Sequence, residues 1–233
     1  MLIKGLQKTT LIDYPGKIAC TLFLFGCNFR CDFCHNPELV VSDGGEIYRE
    51  EEVLEFLENR RKYLDGACIT GGEPLGWLDL DFVRKIKDMG YKIKIDTNGS
   101  FPEKLKLLID EGLIDYVAMD IKAGRDKYEL VVNSKVDLDK IEESIRIISG
   151  FENHEFRTTI LPRFHDENEI RRMMEWVKDL AGEKMGKYYL QGFKNQGKFV
   201  GKGFEMEGDV GEDYLDRLKA VAEEHFNDVV VRV

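Results

Sequence analysis

The sequence predicts an α/β fold, a partial (β/α)6 TIM-like barrel of parallel strands, in one domain spanning residues 1–233. Three observations predict it. Short β-like runs alternate in series with amphipathic helical stretches, the pattern that builds parallel sheets. Several strands, that at residues 18–25 above all, are apolar almost throughout, as strands covered on both faces are. Glycines punctuate the helices: Gly90, Gly112, Gly150 and Gly182 each follow a helical run, where a left-handed residue is wanted. A flat doubly wound sheet is the alternative arrangement of the same units.

In chain order, strands are expected over residues 18–25, 67–70, 92–96, 116–120, 155–159 and 187–191. Helices are expected between them, over residues 50–61, 81–89, 102–111, 138–149 and 167–180. Ser100-Phe-Pro-Glu103 reads as a capping box with proline near the first helical position. Residues 192–208 are glycine-rich and read as a long loop after the sixth strand. A last helix over residues 213–225 precedes a terminal strand over residues 228–231. No internal repeat, low-complexity tract or linker interrupts the series.

Composition narrows the function. The chain has 233 residues, 43% of them hydrophobic, enough for a sizeable core. Its longest mostly apolar stretch, residues 18–25, is far short of the ~20 residues a membrane span needs. The first eight residues lack a signal-peptide layout, so a cytoplasmic protein with no membrane partner is expected. The net charge of −10 argues against a nucleic-acid binder, which usually carries a basic surface.

Five cysteines stand at positions 20, 27, 31, 34 and 68. An odd number without a secretion signal does not read as a disulfide framework. Cys20 and Cys68 sit inside apolar strands and read as small buried hydrophobes. The other three lie directly after the first expected strand, in Gly26-Cys27-Asn-Phe-Arg-Cys31-Asp-Phe-Cys34-His35-Asn36-Pro37. Ferredoxin-type runs give a 4Fe–4S cluster four cysteines; with three, one iron is left for an exogenous ligand. A zinc site with His35 as fourth ligand is the competing metal reading, although His35 adjoins Cys34 and the two side chains tend to point apart.

C-x3-C-x2-C after a first strand resembles the signature of the radical S-adenosylmethionine (SAM) superfamily. The resemblance implies a 4Fe–4S cluster on Cys27, Cys31 and Cys34, with SAM as the ligand of the fourth iron. The other expected strand ends agree. Thr70-Gly71-Gly72-Glu73-Pro74 resembles the family's Gly-Gly-Glu element: the glycines let backbone approach the ligand closely, and the Glu73 carboxylate accepts from the SAM ammonium. Asp96-Thr97-Asn98-Gly99 and Asp120-Ile-Lys122 resemble motifs of the glycyl-radical-enzyme activases. By that likeness Asp96, Thr97 and Asp120 hold a monovalent cation, while Lys122, Arg157, Phe33, His35 and Asn36 complete the SAM pocket. The relatives' histidine after the sixth strand falls near Phe193 here, which leaves the sugar-contacting group unassigned. Gly192-Phe-Lys-Asn-Gln-Gly197-Lys198-Phe199 nearly matches a phosphate-binding loop, but Phe199 lacks the hydroxyl that holds magnesium.

Upstream, Leu11-Ile12-Asp13-Tyr14-Pro15-Gly16-Lys17 resembles the activases' D-x-P-G element, which implies that Asp13 meets the glycyl-loop peptide of a partner enzyme. The Asp-Tyr-Pro-Gly form is most similar to the activating proteins of anaerobic ribonucleoside-triphosphate reductase. Many pyruvate formate-lyase activases follow their D-x-P-G element, one residue later, with arginine, where this chain has Ile18. The resemblance implies a glycyl radical enzyme as partner and a flavodoxin or ferredoxin as reductant. There is no extra cysteine-rich insert, so one cluster is expected.

Overall fold

The computed structural model describes residues 1–41, 45–182 and 186–233. The strand order of its sheet is the chain order, β1 to β8. From β2 onward a helix lies between each strand and the next, the parallel α/β, partial-barrel topology expected from the sequence.

Packing groups the chain into two compact units. The first comprises Met1–Asn28, Asn36–Thr97 and Glu103–Val117. It opens on β1 (Ile3–Thr10), which pairs antiparallel with β2 (Ala19–Leu24). β2 pairs parallel with β3 (Gly66–Gly71), and β3 with β4 (Lys92–Thr97). Ala19, Cys20, Leu22 and Leu24 are fully buried, as are Cys68 and Ile69 of β3. Parallel strands covered on both faces require such residues, and Cys20 and Cys68 are the buried hydrophobes expected. Four helices accompany these strands: α1 (Pro37–Val40), α2 (Glu50–Arg60), α3 (Leu80–Asp88) and α4 (Pro102–Asp110), whose first residue, Pro102, is grouped with the second unit. α3 begins where Asp79 accepts hydrogen bonds from the amides of Asp81 and Phe82 at 2.8 and 3.1 Å, which satisfies two of the donors that a helix start leaves unpaired.

The second unit comprises Phe29–His35, Asn98–Pro102 and Ala118–Val233; β5 (Tyr116–Asp120) begins in the first unit and ends in the second. Here α5 (Tyr128–Val132) and α6 (Leu138–Ser149) lead to β6 (His154–Ile160). α7 (Glu167–Ala181) leads to β7 (Lys187–Gly192), and α8 (Glu212–Ala222) to β8 (Val229–Arg232). The β6–β7 and β7–β8 pairings are parallel. After β7 the chain forms the long loop expected, broken only by one 3-10 turn at Phe204–Met206. The near match to a phosphate-binding loop is therefore not followed by a helix.

The expected elements form with bounds that shift by a few residues. Four features depart from expectation, the short helices α1 and α5 being one. β1 was not foreseen. Gly90, Gly112 and Gly182 take positive φ (90°, 65° and 67°), but Gly150 stays right-handed at φ −84°. There the last turn of α6 tightens instead, with the Gly150 amide donating to Ile147 O at 3.2 Å and that of Phe151 to Ile148 O at 2.9 Å. This satisfies end carbonyls without a left-handed residue. The Ser100 hydroxyl is buried without a hydrogen-bond partner, so the capping box does not form. The Ser100 amide donates to Asn98 Oδ1 at 3.0 Å instead, an Asx-type turn.

Candidate active site

In the first unit, the ends of β2, β3 and β4 carry the expected residues. β2 ends at Leu24 and Cys27 follows, half-buried and outside any disulfide. The chain turns at Gly26, φ 102°, where any Cβ would strike the Trp77 indole. Gly71, φ 127°, lies against the Leu24 backbone, and Gly72 against the carbonyl of Gly26. The Gly72 amide donates to Leu24 O at 2.9 Å, and that of Glu73 to Gly26 O at 2.7 Å. The glycine pair thus lets two protein backbones meet, the end of β3 and the cysteine-bearing end of β2. This is a role the sequence reading gave to ligand approach alone. Asn36 heads α1, where its carbonyl accepts from the Leu39 amide at 3.0 Å and its side chain makes no cap.

Glu73 is fully buried. Its Oε1 accepts from the Thr97 hydroxyl at 2.8 Å and from the Leu75 amide at 3.1 Å. These two expected residues are therefore brought together, with Thr97 orienting the Glu73 carboxylate. Asp96 is engaged by a neighbour that the sequence reading missed: Lys94 Nζ lies 2.5 Å from Asp96 Oδ1. The signal was there, because Lys92-Ile-Lys-Ile-Asp96 alternates with period two and places Lys94 and Asp96 on one face of β4.

Asp13 lies before β2, in a tight turn. Pro15 and Gly16, φ 69°, form the corner, and the Lys17 amide donates to Tyr14 O at 3.2 Å. Proline followed by a positive-φ glycine is what a type II turn demands. Asp13 Oδ2 accepts from the Thr21 hydroxyl at 2.5 Å. Thr21 sits three residues before the end of β2, about 10 Å along the strand. Leu11 and Ile12, beside it, are 72% and 83% exposed.

In the second unit, Cys31 and Cys34 bracket a turn closed by the Cys34 amide on Cys31 O at 3.0 Å. Cys31 is buried and Cys34 half-buried, and neither is in a disulfide. The turn is held from the loop after β7, where the amides of Val200 and Gly201 donate to Cys34 O and Asp32 O at 3.2 and 2.9 Å. His35 stacks on Phe193, with centroids 5.3 Å apart and planes 27° apart, and its Nδ1 is 3.2 Å from Gln196 O. Phe193 is thus covered by an imidazole from the cysteine loop. Phe33 is buried, 6.0 Å from Lys122 Nζ measured to its ring centroid.

Asp120, Lys122 and Arg157 form one cluster. Asp120 Oδ2 accepts from Lys122 Nζ at 2.9 Å and Oδ1 from Arg157 Nε at 3.0 Å. Burial pushes the Asp120 carboxyl upward, but Lys122 and Arg157 outweigh it and hold it at about 2. Lys122 is pulled down by burial and raised more strongly by Asp120, then by Cys31. Arg157 is shared with the buried Glu155, whose Oε1 lies 3.8 Å from its guanidinium, so Lys122 and Arg157 stand against two carboxylates. Sequence reading missed His165, which is fully buried. Its Nδ1 accepts from the Leu161 amide at 3.0 Å, so its Nε2 donates to Lys122 O at 2.8 Å. An isolated histidine in a loop offered no motif by which to find it.

Comparison with known proteins follows the same lines. The Radical SAM superfamily description matches residues 21–177. The chain is 33% identical to the provisionally named glycyl-radical enzyme activating enzyme MJ1227 of Methanocaldococcus jannaschii, over 99% of this chain and 95% of that one. It is 23% identical to the pyruvate formate-lyase 1-activating enzyme of Escherichia coli, over 98% and 97% of the two chains. Streptococcus suis SuiB bound to S-adenosylmethionine superposes with a TM-score of 0.66 at 12% identity, over 91% of this chain and 52% of that one. The chain thus spans about half of SuiB, and that likeness concerns the fold.

Proposed function

Because the chain belongs to the radical SAM superfamily, among the glycyl-radical-enzyme activating enzymes, we propose that it generates the glycyl radical of an anaerobic ribonucleoside-triphosphate reductase. In this reading Cys27, Cys31 and Cys34 hold one 4Fe–4S cluster. The donor set fits, with three cysteines outside any disulfide within eight residues of sequence and a cationic Lys122 close enough to respond to Cys31 and Cys34. When bound, the cluster and SAM supply an electron and a carbon radical able to take hydrogen from a glycine Cα.

The chain's own residues bind and orient. Glu73, held by Thr97, accepts from the SAM ammonium. By the activase likeness, Gly71, Gly72, Asp96 and Asn36 of the first unit, and Lys122, Arg157, Phe33 and His35 of the second, are the further residues given to SAM. The scarcity of candidate general acids and bases is no obstacle, since hydrogen abstraction requires none. A flavodoxin or ferredoxin delivers the electron, consistent with a chain whose five cysteines leave no set for a second cluster.

The observation that carries the choice of partner is the turn at Asp13. Its carboxylate is fixed on Thr21, its corner is Pro15-Gly16, Ile18 follows where arginine is common in pyruvate formate-lyase activases, and exposed Leu11 and Ile12 offer apolar contact to a protein loop. A pyruvate formate-lyase-type partner is the second reading, favoured by relatives of that name. Electron paramagnetic resonance after anaerobic incubation with each enzyme separates them. A glycyl radical on the reductase supports the first; one on the formate-lyase-type enzyme alone moves the assignment to the second.

A further inference from the structure

The activase likeness gives Asp96, Thr97 and Asp120 to a monovalent cation, and the residues present do not fit that group. A carboxylate draws such a cation most strongly where no neighbouring side chain already compensates its charge. In the first unit, Lys94 is 2% exposed and Asp96 16%. The Lys94 ammonium lies 2.5 Å from Asp96 Oδ1, 3.9 Å from Cys68 Sγ and 5.9 Å from the centroid of the Tyr116 ring. Thr97 turns its hydroxyl to Glu73. In the second unit, both oxygens of Asp120 are taken, by Lys122 and by Arg157. Each carboxylate is therefore neutralised by a side-chain cation of its own unit, and a sodium or potassium ion at either would meet like charge.

We propose that Lys94 is a built-in counter-ion for Asp96, a positioning residue that replaces the monovalent cation, so that SAM binding here is independent of sodium and potassium. The inference rests on the reading that Asp96 belongs to the SAM pocket. Lys94 and Asp96 lie two residues apart on one strand, on the same face, so the ammonium is preorganised without recruiting an ion from solution. A buried lysine on a four-carbon stem acts as a compact point charge, the role that a monovalent ion would otherwise fill.

The test is the dissociation constant of SAM for the anaerobically reconstituted protein, measured by equilibrium titration. Tetramethylammonium, sodium and potassium salts are compared at equal ionic strength. The expected result is one constant in all three salts, to within about twofold. Lys94→Met is expected to weaken binding in tetramethylammonium by about tenfold or more, with partial recovery on adding potassium, while Lys94→Arg stays near wild type. Wild-type binding that weakens about tenfold in tetramethylammonium and is restored saturably by potassium overturns the counter-ion role alone. Absence of SAM binding in every salt overturns the pocket reading and the inference with it. The wild-type comparison decides the matter even where Lys94→Met does not fold.

Discussion

The Thr21 hydroxyl donates to Asp13 Oδ2 at 2.5 Å, tying the turn that precedes β2 to the strand itself. If this bond aims Asp13 at the partner's loop, Thr21→Val weakens docking and leaves the SAM chemistry alone. A lost hydrogen bond to a charged group is worth about 1.5–3 kcal/mol, so KM for the protein partner should rise about tenfold or more. The 5′-deoxyadenosine formed without partner should be unchanged. Equal loss of both activities would show that Thr21 supports the fold rather than the contact.

The buried Glu73 carboxylate depends on Thr97. Thr97→Val keeps the shape and removes the donor, which should cost about 1–3 kcal/mol of stability, read as a lower denaturant midpoint. It should also weaken SAM binding. An unchanged midpoint with unchanged affinity would remove Thr97 from the site.

Two positive-φ glycines make a contrast. Gly16 has nothing within 4 Å of a built Cβ, whereas a Cβ at Gly71 meets the backbone of Leu24. Gly16→Ala should cost only the left-handed conformation, about 1–2 kcal/mol. Gly71→Ala should add overpacking of about 1–3 kcal/mol, because backbone cannot step aside as a flexible side chain can. Denaturant unfolding of the two variants checks the order, and equal losses would contradict the close approach of β2 and β3.

Much of this was legible in the sequence. Apolar runs marked the parallel strands because burial on both faces leaves little choice of residue, and β5 and α6 form with the bounds expected. β1 was not legible: Ile3-Lys-Gly-Leu-Gln-Lys-Thr-Thr is mostly half-buried or exposed, and it sits at the sheet edge with β2 as its neighbour, so no apolar run was needed. The close backbone approach at the glycine pair was legible from its motif. Lys94 and Asp96 were legible as neighbours from their period-two spacing, but a partner such as His165 on Lys122 O depends on tertiary placement, and local spacing does not encode it. Gly150 misled because helix ends can be closed by a tightened turn as well as by a left-handed residue.

His165 gives a pH dependence. Burial holds its imidazole below the ordinary value, and the same holds for His154. Below the ordinary imidazole value of about 6.5, the unfolded chain takes up protons that the folded one refuses. Their stability contribution is therefore present above that pH and lost as pH falls through it toward the depressed folded values. Unfolding by guanidinium across pH ~7 to ~5 should show wild-type stability falling, and His165→Gln should show a shallower fall. Identical slopes would mean that His165 is not held neutral on Lys122 O.

The proposed product of this chain is a protein radical. The direct measurement is electron paramagnetic resonance of the anaerobic reductase after incubation with the reconstituted protein, SAM and a reduced flavodoxin. The account predicts a glycyl radical on the reductase that disappears when Cys31→Ala replaces the wild-type activase. Protein with a verified cluster that forms 5′-deoxyadenosine yet leaves no radical on any glycyl radical enzyme offered to it would contradict the account.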